Sequence, residues 1–278
     1  MTEISAAAVK ALRDLTGLPM MDCKNALIKA NGDQNKAVEI LREESGKTLI
    51  KRADNPTMEG RIVILSKEDG SETVMVEMQC ESPPVAGAPD FINFVNECAK
   101  QLLNGPGAST PEELLGQPAP DHAGKKLSDV LDDMINRIRE KMVLSRIIRV
   151  DGPTGGYVHH DGKQGVLFRA EGKAENPAVL RDVAMHIAGL KPTVVFPEEL
   201  DQSAVNAERE KLTAEAKASG KPDNIVAKIV DGRMKTFFVD QGVLVSQPFA
   251  KEESKTVSQI LAENGLKAVG FTRWVLGA

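Results

Sequence analysis

A chain of 278 residues, 41% of them hydrophobic and 27% charged, is long enough for about two domains and apolar enough to offset the entropy of ordering them. Its 35 basic against 40 acidic residues give a net charge of −5, which excludes a protein built around a large phosphate-neutralising surface. Aromatic residues at 4% leave little for base-stacking platforms. No apolar run approaches the roughly 18–20 residues that cross a bilayer core, and residues 1–20 lack a basic region followed by an apolar stretch. The sequence therefore predicts a cytoplasmic chain with no membrane partner and no nucleic-acid partner. Cys23, Cys80 and Cys98 show no CxxC spacing and read as small buried hydrophobes in a reducing compartment.

Residues 1–45 predict a three-helix module. Val9, Leu12 and Leu15 recur at three-residue spacing behind Thr2 or Ser5 as N-cap, and Gly17 stops the helix. Pro19 opens a second helix with Cys23, Ala26, Leu27 and Ala30 on one face. Asn31-Gly32 ends it, Asp33 caps a third, and Ala37, Ile40 and Leu41 form the third apolar stripe. Residues 46–58 are polar, lack periodicity and read as a linker.

From Gly60 the period drops to 2. Ile62 and Ile64 precede a turn at Glu68-Asp69-Gly70-Ser71, and Val74, Val76 and Met78 follow it, the pattern of a β-hairpin. A loop over 80–87, a helix over 89–103, a Gly/Pro-rich connection over 104–125 and a helix over 127–142 complete a first core subdomain, 59–143. The pattern recurs with a strand over 144–150, a hairpin turning at Asp161-Gly162 and a helix over 177–190. Phe91, Phe94, Val95, Cys98 and Ala99 superpose on Leu180, Val183, Ala184, Ile187 and Ala188 at constant offset. The second subdomain is read as 144–200 and 239–278, interrupted by a helical (coiled-coil) hairpin over 201–238. That hairpin carries a thin stripe, with Val205 and Leu212 seven apart, turns at Gly220-Lys221-Pro222, and is expected to use its stripe elsewhere. The fold class is α+β: a three-helix module, two related hairpin-plus-helix subdomains with antiparallel sheets, and an inserted antiparallel helical hairpin.

No covalent chemistry is nominated. Ser45-Gly46-Lys47-Thr48 mimics the end of a phosphate-binding loop, but the required upstream glycine position holds Leu41 and the segment follows a helix. His159-His160 lie side by side on an expected strand, so their rings should face opposite ways. His122 and His186 have no ligand spacing to a partner, and no nucleophile stands near a base. The expectation is a binding protein with no catalytic residue, no metal and no cofactor.

Three segments carry a resemblance. The first is Val9-Lys10-Ala11-Leu12-Arg13 with Thr16-Gly17-Leu18-Pro19-Met20-Met21-Asp22-Cys23-Lys24-Asn25-Ala26-Leu27. The second is Ala184-Met185-His186-Ile187-Ala188 with Lys191-Pro192. The third is Gln247-Pro248-Phe249 through Ser254-Lys255-Thr256-Val257. In order and spacing they are similar to the signatures of translation elongation factor Ts of the bacterial and organellar type, and the chain resembles that family along nearly its whole length. The longest family members carry an extra C-terminal module, which the resemblance, running to Gly270-Phe271-Thr272-Arg273, leads us to expect absent here.

The resemblance implies a guanine-nucleotide exchange factor that binds the GTPase elongation factor Tu, in a 1:1 or a 2:2 complex, and speeds GDP release. It implies partner contacts at Arg13, Met20 and Met21 of the helical module, at His186, and at Ala250 and Lys251. It also implies a Mg²⁺-dislocation loop at Ser82, Pro83, Pro84 and Val85. There the family carries Thr-Asp-Phe-Val, whose Phe wedges between partner helices. This chain has Ser82-Pro83-Pro84-Val85, expected to be a stiff, extended loop. A slipped register would offer Asp90-Phe91-Ile92 as the wedge but would take Phe91 from its helix core. The second reading is a relative that binds the GTPase without efficient exchange, and the third an RNA-associated module.

Overall fold

The computed structural model describes residues 4–16, 18–52, 54–174 and 176–277, with the side chains of Arg42 and of residues 45–51 outside the description. Three helices come first: α1 (Ala6–Thr16), α2 (Met20–Lys29) and α3 (Gln34–Lys51). The Ser5 hydroxyl accepts the Ala8 N–H at 3.1 Å, so Ser5 caps α1. The alternative cap, Thr2, and the stop at Gly17 lie outside the described residues. Asn31 and Gly32 take φ of 52° and 86°, and the Gly32 N–H returns to the Leu27 carbonyl at 2.8 Å, the left-handed stop that Asn-Gly allows. Asp33 accepts the Asn35 and Lys36 N–H groups at 2.9 and 3.1 Å and so starts α3. The third helix continues to Lys51, into the stretch read as linker from residue 46. The phosphate-loop mimic at 45–48 thus has a helical backbone, and its side chains lie outside the description.

Next come β1 (Glu59–Ser66), β2 (Glu72–Cys80), α4 (Pro83–Ala86), α5 (Pro89–Asn104), α6 (Pro111–Leu115), α7 (Leu127–Ile138) and β3 (Met142–Asp151). β4 (Thr154–Val158), β5 (Gln164–Gly172) and α8 (Ala178–Leu190) repeat the hairpin-plus-helix theme. After a short 3₁₀ turn at Pro197–Glu199 stand α9 (Gln202–Ala218) and α10 (Asp223–Asp240). A second 3₁₀ turn, Leu244–Ser246, follows α10. It leads to β6 (Pro248–Phe249), β7 (Glu252–Thr256), α11 (Val257–Glu263) and β8 (Leu266–Val275).

The sheets are ordered β1-β2-β3, β4-β5-β8 and β6-β7. The strand over 144–150, read as opening the second subdomain, is β3 and pairs with β2 instead. Hydrophobic alternation marks it as a strand, but which edge it joins is a matter of long-range pairing that the alternation does not encode. The α7 helix also stops earlier than residue 142, because Arg139 adopts a left-handed φ of 64° and frees the chain to enter β3.

The chain divides into two compact units, residues 1–63, 75–148 and 276–278 in one and 64–74 and 149–275 in the other. Within unit one the helical module has its own core of Val9, Leu12, Leu18, Cys23, Ala26, Leu27, Ala30, Ala37 and Leu41. Helix α5 buries Phe91, Phe94, Val95, Cys98 and Ala99, one half of the superposed pattern. Phe91 has no exposure at all, so the slipped register that would use it as a wedge is not the one adopted. Gly60, at φ 148°, lies so close to β2 that a Cβ would meet the Met78 carbonyl oxygen at 2.1 Å.

Unit two buries the other half, Leu180, Val183, Ala184, Ile187 and Ala188 of α8, with Val166, Phe168, Leu244, Phe249, Val257, Leu261 and Leu266. β5 pairs antiparallel with both β4 and β8. The helical hairpin differs from expectation. Its stripe is not kept for use elsewhere: Val205, Leu212 and Ala216 of α9 form one buried cluster with Val226, Val230 and Met234 of α10. Two thin stripes facing each other suffice, and Arg209–Asp231 and Arg233–Glu215 pairs at 3.2 and 2.7 Å bridge the helices outside them.

Candidate partner-binding site

In the helical module, α2 buries Cys23, Ala26 and Leu27, a spacing of 3 and 4 that fixes which side faces inward. Met21, Lys24 and Ile28 then fall on the outward side, and Met20 lies over the helix start. Met20 is 50% and Met21 62% exposed. Leu15 and Ile28 of the same module are exposed as well, as is Arg13 on α1. Large apolar side chains left on the surface of so small a module are unusual, and Met suits surfaces that must adapt to a partner.

The Ser82-Pro83-Pro84-Val85 segment is not the extended loop the sequence suggested. Pro83–Ala86 form one helical turn, with Ser82 at its N-cap in extended conformation and the prolines at the first two helical positions. A proline pair fits there because those positions have no hydrogen-bond acceptor for an N–H and a fixed φ near −65° is already helical. The turn points Pro83 and Pro84 to solvent and buries Val85 and Ala86. It is tied down from behind: the Ser82 hydroxyl donates to Glu140 Oε1 at 2.8 Å and the Cys80 thiol donates to the Ser82 carbonyl at 3.4 Å. Burial raises the Cys80 thiol to about 11, so it stays a neutral donor.

In unit two, α8 carries His186 on its inward face, and the ring is only 2% exposed. Nδ1 accepts the Ala250 backbone N–H at 3.2 Å. Because that amide can only donate, Nδ1 carries no proton, and Nε2–H is the donor to Gln247 Oε1 at 3.0 Å. The ring also stacks on Phe249, with centroids 5.8 Å apart and planes 27° off parallel. Burial pushes the imidazole below its ordinary value and so keeps it neutral near pH 7, while the Gln247 hydrogen bond opposes that shift without reversing it. Lys251, next in the turn, pairs with Asp182 Oδ1 at 2.6 Å, one helical turn before His186 on α8. The turn thus presents exposed Pro248, Ala250 and Lys251 over a locked His186–Gln247–Phe249 base.

The structure therefore brings His186, Ala250 and Lys251 together, although 64 residues separate His186 from Ala250. Arg13 on α1 and Met20 and Met21 on α2 are all exposed residues of the helical module. Gln247 and Asp182 were not singled out from the sequence as site residues, since their roles depend on a partner distant along the chain. His159 and His160 behave differently from the alternation argument. β4 ends at Val158, both residues lie beyond it, and their ring centroids are 4.3 Å apart. Among the described residues no group of three or more His, Cys, Asp or Glu side chains could hold a metal ion. Nor is any described helix long and apolar enough to cross a membrane.

The protein-family model described as Elongation factor TS matches residues 84–278. Elongation factor Ts of Paenarthrobacter aurescens is 39% identical over 284 residues, covering 100% of both chains. That of Aquifex aeolicus is 37% identical over 285 residues, covering 99% of this chain and 98% of the relative. That of Thiobacillus denitrificans is 35% identical over 279 residues, covering 100% and 93%. With the matched length and the α+β architecture in agreement, the chain belongs to the bacterial-type elongation factor Ts family and is a translation elongation factor of protein biosynthesis.

Proposed function

We propose that the chain is a guanine-nucleotide exchange factor for the GTPase elongation factor Tu. It binds the GDP-bound GTPase, disturbs its Mg²⁺ and phosphate site, promotes GDP release and leaves when GTP binds. It is not an enzyme in the covalent sense. The work is a coupling free energy: whatever factor its binding takes off nucleotide affinity, nucleotide takes off its own affinity. The observation that carries this reading is the exposure of Met20 and Met21 on the helical module. Together with Arg13 of α1 they form the GTPase-facing contact. The 248–251 turn, with Ala250 and Lys251 at its tip and His186 as its base, forms a second contact, toward the partner's β-barrel domain. The Ser82–Val85 turn stands where the Mg²⁺ site is disturbed, with its two solvent-facing prolines as the pushing surface. As a translation factor the chain works in the cytoplasm.

Stopped-flow release of a fluorescent GDP analogue from the cognate elongation factor Tu tests this, run with and without Mg²⁺. Acceleration that saturates with added chain is expected, together with tighter binding to the nucleotide-free GTPase than to its GDP form. Equal affinity for both forms would remove exchange, since a ligand without preference shifts no equilibrium. Light scattering of the purified complex separates 1:1 from 2:2. One observation favours a second reading, binding without efficient exchange: the 82–85 turn exposes prolines where an aromatic wedge is expected, and its Val85 is buried. That reading predicts a stable complex with unchanged GDP release.

A further inference from the structure

The residue between β2 and the Ser82–Val85 turn is Glu81. Its carboxylate accepts hydrogen bonds from three residues on two separate segments of unit one. Arg52 Nη1 reaches both oxygens, at 3.0 and 2.8 Å, and Asn55 Nδ2 reaches Oε2 at 2.8 Å. The Lys141 backbone N–H reaches Oε1 at 2.6 Å. The Lys141 ammonium in turn donates to the Asn55 carbonyl at 3.1 Å. Arg52 and Asn55 belong to the segment joining α3 to β1, and Lys141 lies between α7 and β3. The Glu81 carboxylate is 16% exposed. Burial raises its pKa, but the Lys141 amide, Asn55 and Arg52 lower it by more, so it remains an anion.

We infer that Glu81 is a positioning residue that couples the two partner-facing elements of unit one. The segment after α3 would otherwise be a flexible tether, polar and without periodicity. Fixed to Glu81, it holds the helical module in a set relation to the turn that begins at the next residue. The neighbouring Ser82–Glu140 bond belongs to the same framework, since Glu140 adjoins Lys141. A pre-organised pair of contacts docks as one, whereas a tethered pair must order the tether on binding. The proteolytic part of the test is independent of the proposed exchange activity, and the kinetic part rests on it.

The test compares the full chain with Glu81→Ala, Glu81→Gln and Asn55→Ala. Trypsin cleavage after Arg52 reads the clamp directly. It should quicken ~10-fold in Glu81→Ala, and less in Glu81→Gln, which keeps the shape but not the charge, while cleavage at basic residues other than Lys51, Arg52 and Lys141 is unchanged. In GDP release from elongation factor Tu, the half-saturating concentration should rise ~10-fold at a saturating rate within ~2-fold of the parent. Asn55→Ala, which changes only the joining segment, should move both readouts in the same direction and covers the case of a misfolded Glu81→Ala. Unchanged cleavage after Arg52 overturns the inference. So does acceleration at all sites together, which would mark general destabilisation, or selective cleavage with an unmoved half-saturation. If the parent chain does not stimulate GDP release at all, the exchange reading fails, and so does coupling for exchange; the cleavage pattern then reports on the clamp alone.

Discussion

Replacing His186 with Ala removes three interactions at once. Gln247 is 6% exposed, so its Oε1 loses its hydrogen-bond donor in a place water reaches poorly, at a cost of about 1–3 kcal/mol. The ring stack on Phe249 contributes about 0.5–1.5 kcal/mol. Ala250 is exposed, so water can satisfy its N–H, and that loss is nearer to 1 kcal/mol or less. With partial relaxation of a turn at the surface, His186→Ala should destabilise the chain by about 3 kcal/mol. Denaturant unfolding measures this. Two near-isosteres divide the effect. In His186→Asn the amide oxygen can stand in for Nδ1 and still accept the Ala250 N–H, while Gln247 loses its donor. In His186→Gln the terminal amide can stand in for Nε2–H, while Ala250 is released. Both variants should lose about 1–2 kcal/mol of stability. If the ring acts by holding the 248–251 turn, the affinity for elongation factor Tu falls in His186→Ala and His186→Gln and recovers in His186→Asn. Stability within about 0.5 kcal/mol of the parent in His186→Ala would refute the energetic reasoning. Equal affinity losses in the Asn and Gln variants would refute the positioning role.

The lowered pKa of His186 also sets a pH dependence. Its folded value lies below the unfolded value of 6.5, so the unfolded chain binds the proton more readily. The contribution of the neutral ring is complete above pH 6.5 and is lost as the pH falls from there toward the folded value; His186→Asn should flatten that part of a stability–pH profile. On the helical module, Met20→Asp with Met21→Asp should weaken binding to elongation factor Tu at least ~10-fold while leaving thermal unfolding nearly unchanged, because neither side chain belongs to the core; calorimetric titration and a melting curve check both halves. At the 82–85 turn, Pro83→Asp with Pro84→Phe restores an acidic-aromatic pair on the exposed side and should raise the stimulated rate of GDP release in stopped-flow. Val85→Asp places a carboxylate at a site only 7% exposed, and should destabilise by about 2 kcal/mol or more, seen as a lower melting temperature.

The sequence by itself determined what depends on near neighbours. The apolar period specified α1, α2, α5 and α8, and the buried residues of those helices include those the period marked, except Leu15, which is exposed at the end of α1. Asn31-Gly32, Asp69-Gly70 and Asp161-Gly162 marked turns because Gly32, Gly70 and Gly162 must take a positive φ, and they do. The family was legible for the same reason: its signatures are contiguous runs of residues. What only the tertiary structure decided are relations between segments far apart in the chain. The alternation in β3 is equally compatible with either sheet, and its pairing with β2 settles the choice. A helical period says that one face of α8 is inward, but only Gln247 and Ala250, more than 60 residues later, make His186 the base of a turn rather than a surface group. Two prolines read as extended when judged by composition; at the first two positions after an N-cap the same fixed φ starts a helix. The four hydrogen bonds on Glu81 come from residues 26 to 60 positions away, and no local pattern distinguishes that glutamate from its many exposed counterparts. Local conformational preference acts over a few residues, whereas a buried polar group is satisfied by whatever the fold brings beside it.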